Sequence, residues 1–318
     1  MPLASQVHVN APLTNVSTAY VQDQNNFIAD KVFPVVPVLK KSDLYFVYNK
    51  NDYFRDEAQK RAAGTPSAGG DYDLTTASYV CARFSFHKDI TDEEMANSDA
   101  ALNPEDDAAE YVTGKLLLKR EREFVATYMT TSVWGTDLTP SSLWSDYASS
   151  DPISDIENGK TTILQNTGYE ANTLVLSYDT FKALKNHPLI VDRYKHTSAD
   201  SITADMLAAV FDVERVLISK GVYASNEEGG TAAMAFISTK DALLCYVNRA
   251  PALRKPSAGY NFAWTGLAGA GAYGNAIKRF TGDYFKSIAV EVRIEGELYF
   301  DQKVVGSDLG YFFNNCVA

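Results

Sequence analysis

Hydrophobic and polar positions form their most informative pattern in residues 28–57, which run IADKVFPVVPVLKKSDLYFVYNKNDYFRDE. Pro34 and Pro37 each fix φ and remove a backbone donor, so we predict that this run is extended and not helical. Side chains alternate across a strand, and in DLYFVY both of the resulting faces are largely apolar. Because a solvated edge strand avoids two apolar faces, we expect this segment to lie on another surface.

Apolar positions return unevenly after a turn-rich tip, AAGTPSAGGD at residues 62–71. Between Tyr72 and Phe86 they predict a second strand that runs back along the first. We therefore predict a long two-stranded ribbon over residues 42–90. A hairpin of two strands is marginally stable in water by itself, so the ribbon is expected to need a supporting surface.

A block of acidic residues precedes the longest predicted helix. Residues 91–110, the acidic block, carry eight acidic side chains and no basic one. Asn103 suits an N-cap and Pro104 the first helical position, and the acidic residues that follow meet the positive end of the helix dipole. The following apolar stripe predicts a helix to about residue 130, roughly 39 Å long at 1.5 Å per residue. A divalent-cation site is the alternative for these carboxylates, but the EF-hand spacing is absent.

The next segment predicts a loop and then a second helix. Residues 130–152 are rich in Ser, Thr and Asp, with Trp134 and Trp144 as expected anchors. The pattern over residues 152–168 begins with an Asp-Pro signal and ends at a glycine, which predicts a helix with Leu164 on its buried face.

The remaining pattern mixes strands with short helices. Residues 173–177 and 213–219 are predicted strands, separated by two helical segments, which indicates a crossover unit. Residues 286–300 alternate between apolar and polar side chains, as in a half-buried antiparallel strand. The last 15 residues are apolar enough to be held against the core.

Composition narrows the class of protein. A chain of 318 residues can bury a large core in two subdomains. Its net charge of −11, without a basic stripe, disfavours a protein that grips DNA or anionic lipid. No apolar run reaches a membrane span, and the N-terminus lacks a signal-peptide pattern. Three widely spaced cysteines argue against a disulfide framework and favour a reducing compartment.

Candidate chemistry in the sequence is weak. Gly269, Gly271 and Gly274 match GxGxxG, but a dinucleotide site needs a following helix, and the chain leads quickly into a predicted strand. A mobile glycine-rich loop is therefore favoured over a nucleotide-dependent enzyme. The four histidines show no HExxH motif or helical pair, and nucleophile-elbow and P-loop motifs are absent. We expect no enzyme activity, no catalytic residue, no cofactor and no metal site.

The segment IADKVFPVVPV, followed by YFVYNKNDYFRDEAQKRAAGTPSAGGDYDL, resembles the start of tailed-bacteriophage major capsid proteins. The resemblance continues, with the elements in the same order, from about residue 27 to the C-terminus. It implies the α+β Hong Kong 97-type shell fold, with a long spine helix in the peripheral domain and an α/β axial domain. The implied limits are 1–41 for the N-terminal arm and extended entry segment, 42–90 for the extended β-hairpin loop, 91–170 for the peripheral domain, 171–280 for the axial domain, and 281–318 for C-terminal strands that return to the peripheral sheet and axial-domain edge.

The resemblance also implies a function. Such proteins assemble into hexamers and pentamers of an icosahedral shell that encloses double-stranded DNA. The implied partners are other copies of the chain, a portal protein, a separate scaffolding protein and decoration proteins, without a membrane. A separate scaffold is expected because the match begins near residue 27. The expected location is the virion, after assembly in the host bacterial cytoplasm. An encapsulin-type nanocompartment shell is the alternative.

The ribbon and the acidic block are expected to meet between subunits. Arg55, Lys60 and Arg61 near the ribbon tip are hypothesised to face acidic residues 92–107 of a neighbour. Exposed ion pairs contribute about 0–1 kcal/mol each, so they would set register more than strength. The candidate interface residues are Phe46, Tyr48, Tyr53, Phe54, Arg55, Lys60, Arg61, Asp92, Glu93, Glu94, Glu105, Asp106 and Asp107.

Overall fold

The computed structural model describes residues 22–97, 103–194, 201–227, 229–231, 233–251, 255–266, 271–282 and 290–318. This part of the chain builds two five-stranded sheets and two two-stranded ribbons. The helices are α1 (Ala29–Val32), α2 (Lys50–Phe54), α3 (Asp92–Ala96), α4 (Pro104–Tyr128), α5 (Pro152–Thr167), α6 (Tyr178–Lys185), α7 (Pro188–Tyr194) and α8 (Ala204–Val210). The strands are β1 (Val35–Val38), β2 (Ser42–Tyr48), β3 (Leu74–Val80), β4 (Ala82–Thr91), β5 (Thr136–Leu138), β6 (Thr173–Ser177), β7 (Arg215–Ser219), β8 (Val222–Ala224), β9 (Met234–Phe236), β10 (Ala242–Cys245), β11 (Gly259–Trp264), β12 (Asn275–Phe280), β13 (Val290–Val304) and β14 (Gly310–Phe313).

The first sheet is built around β13. β4 runs antiparallel along one edge of β13, β11 and β12 share the other edge, and β1 adds to β11 in parallel. Alternate residues such as Val292 and Ile294 are buried, which confirms the predicted half-buried strand from residue 290 onward. Residues 286–289 of that prediction lie outside the described residues. Gly296 lies on the same buried face of β13, and α4 crosses directly over it, which leaves no room for a side chain. A Cβ at Gly296 would collide with Val112 and lie 2.8 Å from Leu116 Cδ1.

The spine helix α4 forms as its local sequence predicts. Asn103 caps the helix by accepting a hydrogen bond from the Glu105 N–H at 3.2 Å, and Pro104 occupies the first turn. Near the other end, Phe124 and Tyr128 are buried. The helix therefore spans 25 residues between a polar cap and a packed C-terminal turn.

The second sheet has the strand order β5-β14-β10-β6-β7. β6 and β7 are parallel, and α6, α7 and α8 lie between them in the chain, which confirms the predicted crossover unit. α5 packs against this sheet, where a Cβ at Gly159 would lie 3.2 Å from Leu244 and Phe313 side-chain atoms. The C-terminal segment is held as predicted, because β14 and Cys316 are buried.

The predicted loop anchors and the second helix are confirmed, with one exception. Trp134 and Trp144 are both buried. Asp151 caps α5, and Gly168 ends it in the left-handed conformation at φ 72°. Leu164 is 47% exposed, so its prediction as a buried residue is wrong.

The prediction that residues 28–57 contain no helix is also wrong. α1 and α2 both lie in this run. α1 ends just before Pro34, so that proline terminates the helix without preventing it. The Asn49 side chain caps α2 by accepting from the Asn51 N–H at 3.2 Å.

The ribbon is shorter than the sequence predicts. Its strands are β2 and β3, paired antiparallel from Ser42–Val80 to Tyr48–Leu74, so the ribbon comprises residues 42–80. β4 belongs to the first sheet, because its pairing with β13 gives it a long partner strand. The Val80 N–H donates to Asp301 Oδ2 at 2.8 Å, where the chain enters that sheet.

The sheets do not divide at the domain limits implied by the resemblance. β11 and β12 precede residue 280 but pair with β13 in the first sheet, and α5 precedes residue 170 but packs on the second. The limits themselves stay a prediction. Most of the predicted N-terminal arm, residues 1–21, lies outside the described residues.

Candidate assembly surface

The base of the ribbon is fixed to the first sheet by aromatic stacking. The rings of Tyr79 and Tyr45 stack on Phe262 of β11, with centroid distances of 4.6 and 5.4 Å. Tyr79 and Phe262 are buried, and Cys81 packs beside them. One face of the ribbon base therefore belongs to the core of the subunit.

The opposite face of the ribbon points to solvent. Leu44 and Phe46 alternate with Tyr45 and are exposed, and Phe46 is 63% exposed. Leu74 on the returning strand is also exposed. Soluble monomers rarely expose such a group of large apolar side chains unless it contacts a partner. This face is the strongest candidate for an interface.

Beyond the strands, α2 carries part of an aromatic cluster, which consists of Tyr48, Tyr53, Phe54 and Tyr72. The rings of Tyr48, Tyr53 and Tyr72 lie 6.0 Å from one another. Phe54 is 63% exposed, yet its ring lies beside Gly168, where a Cβ would stand 3.4 Å from it. Lys50 forms an ion pair with Asp308 of the same chain. Contacts within the same subunit thus position the aromatic cluster, while its outer surface is exposed to solvent.

The basic candidates of the ribbon differ in their surroundings. Arg55 Nη1 lies 3.6 Å from Asp52 Oδ1 and 3.7 Å from Glu57 Oε1. The Arg61 guanidinium donates to the Thr65 carbonyl. Lys60 is exposed and makes no ion pair with the described residues.

Half of the acidic candidates already have a role within the subunit. Arg279 of β12 forms a bidentate ion pair with Glu105, in which two N–H groups donate to the two carboxylate oxygens at 2.8 Å each. This pair holds the pKa of Glu105 below its usual value. Asp106 accepts from the Asn103 amide at 2.7 Å. Glu94 closes a capping box with Thr91 at the start of α3.

The other three acidic candidates, Asp92, Glu93 and Asp107, are exposed. Within the described part of the chain, no ion pair joins the ribbon's three basic residues to the acidic block. A single subunit therefore does not bring the two predicted sets together.

An apolar patch that the sequence does not predict lies beside the acidic block. Phe86 of β4 meets Tyr111 of α4 with ring centroids 5.8 Å apart, and Tyr111 is 49% exposed. Tyr111 follows Asp107 by one helical turn, so the two side chains share a flank of α4. The Lys115 ammonium lies 5.3 Å from the Tyr111 ring centroid. The prediction that Phe86 belongs to the ribbon is wrong, because Phe86 lies in β4 of the first sheet.

Other classes of site find little support among the described residues. No group of three or more His, Cys, Asp or Glu side chains there could hold a metal ion. No helix in the same ranges is long and apolar enough to cross a membrane. The three cysteines are free and buried, and burial raises the pKa of the Cys81 thiol to about 11.

The glycine-rich loop leads into a strand and not into a helix. Gly269 lies outside the described residues. Gly271 and Gly274 form a turn in which the Gly271 N–H donates to the Asn275 carbonyl at 2.8 Å. β12 begins at Asn275, so the helix that a dinucleotide site requires does not follow.

Sequence comparison identifies capsid proteins as relatives. No family model matches the chain. The major capsid protein of Pseudomonas phage JBD67 is 24% identical over 318 aligned residues, covering 98% of this chain and 97% of that protein. The major capsid protein of Burkholderia phage BcepMu is 24% identical over 223 residues, covering 69% of this chain and 71% of that protein.

Solved structures show the same fold. A phage-related protein from Bordetella bronchiseptica RB50 is 24% identical, with a TM-score of 0.68 over 93% of both chains. The capsid of cyanophage P-SCSP1u has a TM-score of 0.61 at 12% identity, covering 97% of this chain and 93% of that one. The SrpI encapsulin of Synechococcus elongatus PCC 7942 has a TM-score of 0.60 at 12% identity, covering 99% and 95%. The resemblance to tailed-phage major capsid proteins and the Hong Kong 97-type fold are both confirmed.

Proposed function

We propose that this chain is the major capsid protein of a tailed bacteriophage. It assembles into hexamers and pentamers of an icosahedral shell that encloses the double-stranded DNA genome. The observation that carries this proposal is the ribbon, residues 42–80, which is anchored at its base but presents Leu44, Phe46 and Phe54 to solvent. Two relatives named as major capsid proteins support the same role.

Assembly depends on packing and not on chemistry. Each large apolar side chain of the ribbon that a neighbour buries contributes roughly 1.5–3 kcal/mol before ordering costs are subtracted. The patch formed by Phe86 and Tyr111 offers an apolar surface directly beside the acidic Asp107. We infer that the ribbon of one subunit lies against this flank of α4 in the next.

Charge complementarity sets the register of that contact. Lys60 and Arg61 are exposed on the ribbon, and Asp92, Glu93 and Asp107 are exposed at the acidic block. Arg55 is held by Asp52 and Glu57, so it can contribute across the interface only by sharing its guanidinium. Glu105 is already paired with Arg279 of its own subunit, so it contributes least to the contact between subunits.

The remaining parts of the proposal concern partners and place. The shell incorporates a portal protein and uses a separate scaffolding protein, and decoration proteins bind its exterior. The DNA is enclosed without sequence-specific binding, which agrees with a net charge of −11. The subunits assemble in the cytoplasm of the host bacterium and end in the virion. The chain has no enzyme activity and uses no cofactor.

An encapsulin-type shell is the second candidate, because the fold similarity to SrpI nearly equals that to the cyanophage capsid. The sequence relatives favour the phage role, since both are named as major capsid proteins. A shell around cargo enzymes and a shell around a genome differ in what they enclose.

The proposal is tested by purifying the expressed protein, alone and together with phage portal and scaffolding proteins. Sedimentation and negative-stain electron microscopy are expected to show closed particles of uniform size. Mass spectrometry and nucleic-acid assays of particles from infected cells are expected to show DNA and no co-packaged enzyme. A monodisperse subunit that forms no particle in any of these conditions would contradict the proposal.

A further inference from the structure

The short helix α1 forms a wedge between the two sheets. Within this α1 wedge, residues 28–33, the side chains of Val32 and Phe33 are fully buried. The Phe33 ring packs edge-on against Phe124 of α4, with centroids 5.1 Å apart. The same core cluster includes residues of β6, β10 and β14 from the second sheet. In the first sheet, the Phe33 ring lies against Gly259 of β11, so the α1 wedge contacts the spine helix and both sheets.

One side chain of α4 holds the start of this wedge. Glu121 Oε2 accepts hydrogen bonds from the Ile28 N–H at 3.1 Å and the Ala29 N–H at 2.9 Å, and Oε1 shares the Ile28 N–H at 3.1 Å. Ile28 occupies the N-cap position and has no side chain that could serve these donors. Glu121 is 1% exposed, so water does not replace these bonds in the seated wedge.

The charges around Glu121 do not balance. Asp30 of α1 forms an ion pair with Arg120 of α4, which is itself buried. The Lys31 ammonium points away to the Asn25 carbonyl at 2.8 Å. The Arg215 guanidinium of β7 donates to the Lys31 carbonyl at 2.7 Å. One guanidinium thus faces two carboxylates, and among the described residues the ionised form of Glu121 has no counter-ion that it does not share with Asp30.

A cavity of about 120 Å³ adjoins this cluster. Asp30, Lys31, Arg120 and Glu121 line it together with Leu117. The cavity is large enough for water, which gives the Glu121 carboxyl a path for exchanging a proton with solvent. Protonation at Oε1 leaves Oε2 free to accept from both backbone donors.

We propose that Glu121 is a proton-controlled latch on the α1 wedge. In its protonated form it seats residues 28–33 between the sheets, and its ionisation loosens them. Burial raises the pKa of Glu121 from its ordinary value of 4.5 to about 7, and the nearby Asp30 carboxylate adds to the rise. Burial also raises the pKa of Asp30, against the opposing effect of Arg120.

The direction of the pH effect follows from the two states. In a released wedge, Glu121 is solvated and ionises near its ordinary value, whereas in the seated wedge it holds its proton to about pH 7. Rising pH therefore favours release between these two values. Above about pH 7, Glu121 is ionised in both states, so the equilibrium between the seated and the released wedge no longer changes with pH.

Hydrogen exchange of the dispersed full-length subunit tests the latch. Protection of the amides of residues 28–33 is measured by mass spectrometry from pH 5 to pH 8.5 and corrected for the intrinsic exchange rate. We expect protection to fall by about tenfold per pH unit from pH 5 to pH 7 and then to level off. In Glu121→Gln the fall in protection with pH is expected to be much smaller, because only Asp30 is then left to contribute to it.

Two controls separate the latch from general effects. Glu123→Gln changes a carboxylate on the same helix that pairs with Lys119 and is 41% exposed, and this variant is expected to behave like the parent chain. The buried strand β6 is an internal reference within the parent protein, so the test survives if Glu121→Gln folds poorly. Equal pH dependence in residues 28–33 and in β6, or in the parent and a folded Glu121→Gln, would overturn the proposal. Because dispersed subunits are measured, the result is independent of shell formation.

Discussion

Aromatic residues of the ribbon are divided between two environments that differ by a single position along the strand. Tyr45 stacks on the first sheet, while its neighbour Phe46 is 63% exposed. Phe54 is exposed to the same extent. Burial of each such ring on a partner contributes roughly 1.5–3 kcal/mol, so their exposure in one subunit is relieved by assembly. The residue pattern separates an anchoring face from a contacting face.

Charge reversal at the ribbon tests which residues set the register of assembly. In the triple variant Arg55→Glu, Lys60→Glu and Arg61→Glu, like charges replace the proposed attraction to the acidic block. We expect a much lower yield of closed particles at physiological salt, measured by sedimentation. The dispersed subunit is expected to stay folded, because the three side chains are exposed and the pairs of Arg55 with Asp52 and Glu57 are weak surface contacts.

The matched control carries the same change in net charge elsewhere. Lys182, Lys220 and Lys240 are exposed on the second-sheet side of the subunit, and their reversal to Glu is expected to leave more particles than the ribbon variant. A normal particle yield from the ribbon variant would remove these residues from the proposed register.

At the scale of elements, the contact between α4 and β13 depends on the missing side chain at Gly296. Gly296→Ala places a methyl group against Val112 and Leu116, which are both buried. Overpacking of this kind typically costs 1–3 kcal/mol, so we expect the free energy of unfolding to fall by about that amount. Urea denaturation of dispersed subunits measures it.

Gly114 of the same helix provides the control. A Cβ there meets no atom within 4 Å, and alanine is a better helix former than glycine. Gly114→Ala is therefore expected to raise the free energy of unfolding by roughly 0.5–1 kcal/mol. Equal effects of the two substitutions would mean that α4 does not press on β13 as described.

Elements with local signals could be predicted from the sequence, and long-range pairings could not. Asn103 and Pro104 mark the start of α4, and Gly168 marks the end of α5, because caps act within one turn. The partner of β4 lies about two hundred residues away in β13. No local feature of the sequence distinguishes that pairing from a continued ribbon, which is why the prediction that Phe84 and Phe86 belong to the ribbon is wrong.

The candidate surface was predictable only in part for the same reason. The apolar residues of β2 predict an interface. Alternation alone does not show that Tyr45 packs on Phe262 of the first sheet while Phe46 is exposed to solvent. The acidic residues looked equivalent in sequence. Glu105 differs because Arg279, distant in the chain, is brought next to it by β12.

At the scale of the whole molecule, two sheets are joined by the α1 wedge, and the ribbon extends from the edge where β3 leads into β4. The core clusters that hold the sheets together include none of the exposed ribbon residues Leu44, Phe46 and Phe54. The subunit therefore has a core of its own, while the apolar side chains of its ribbon are left exposed to solvent. That combination is what a shell of many identical subunits requires.

The position of the ribbon in an assembled particle tests this account most directly. Cryo-electron microscopy of closed particles would show where residues 42–80 of each subunit lie. We predict that the ribbon rests on an adjacent subunit, with Phe46 and Phe54 buried there and its tip near the acidic block of that neighbour. A map in which the ribbon contacts only its own subunit, with both rings still in solvent, would contradict the account.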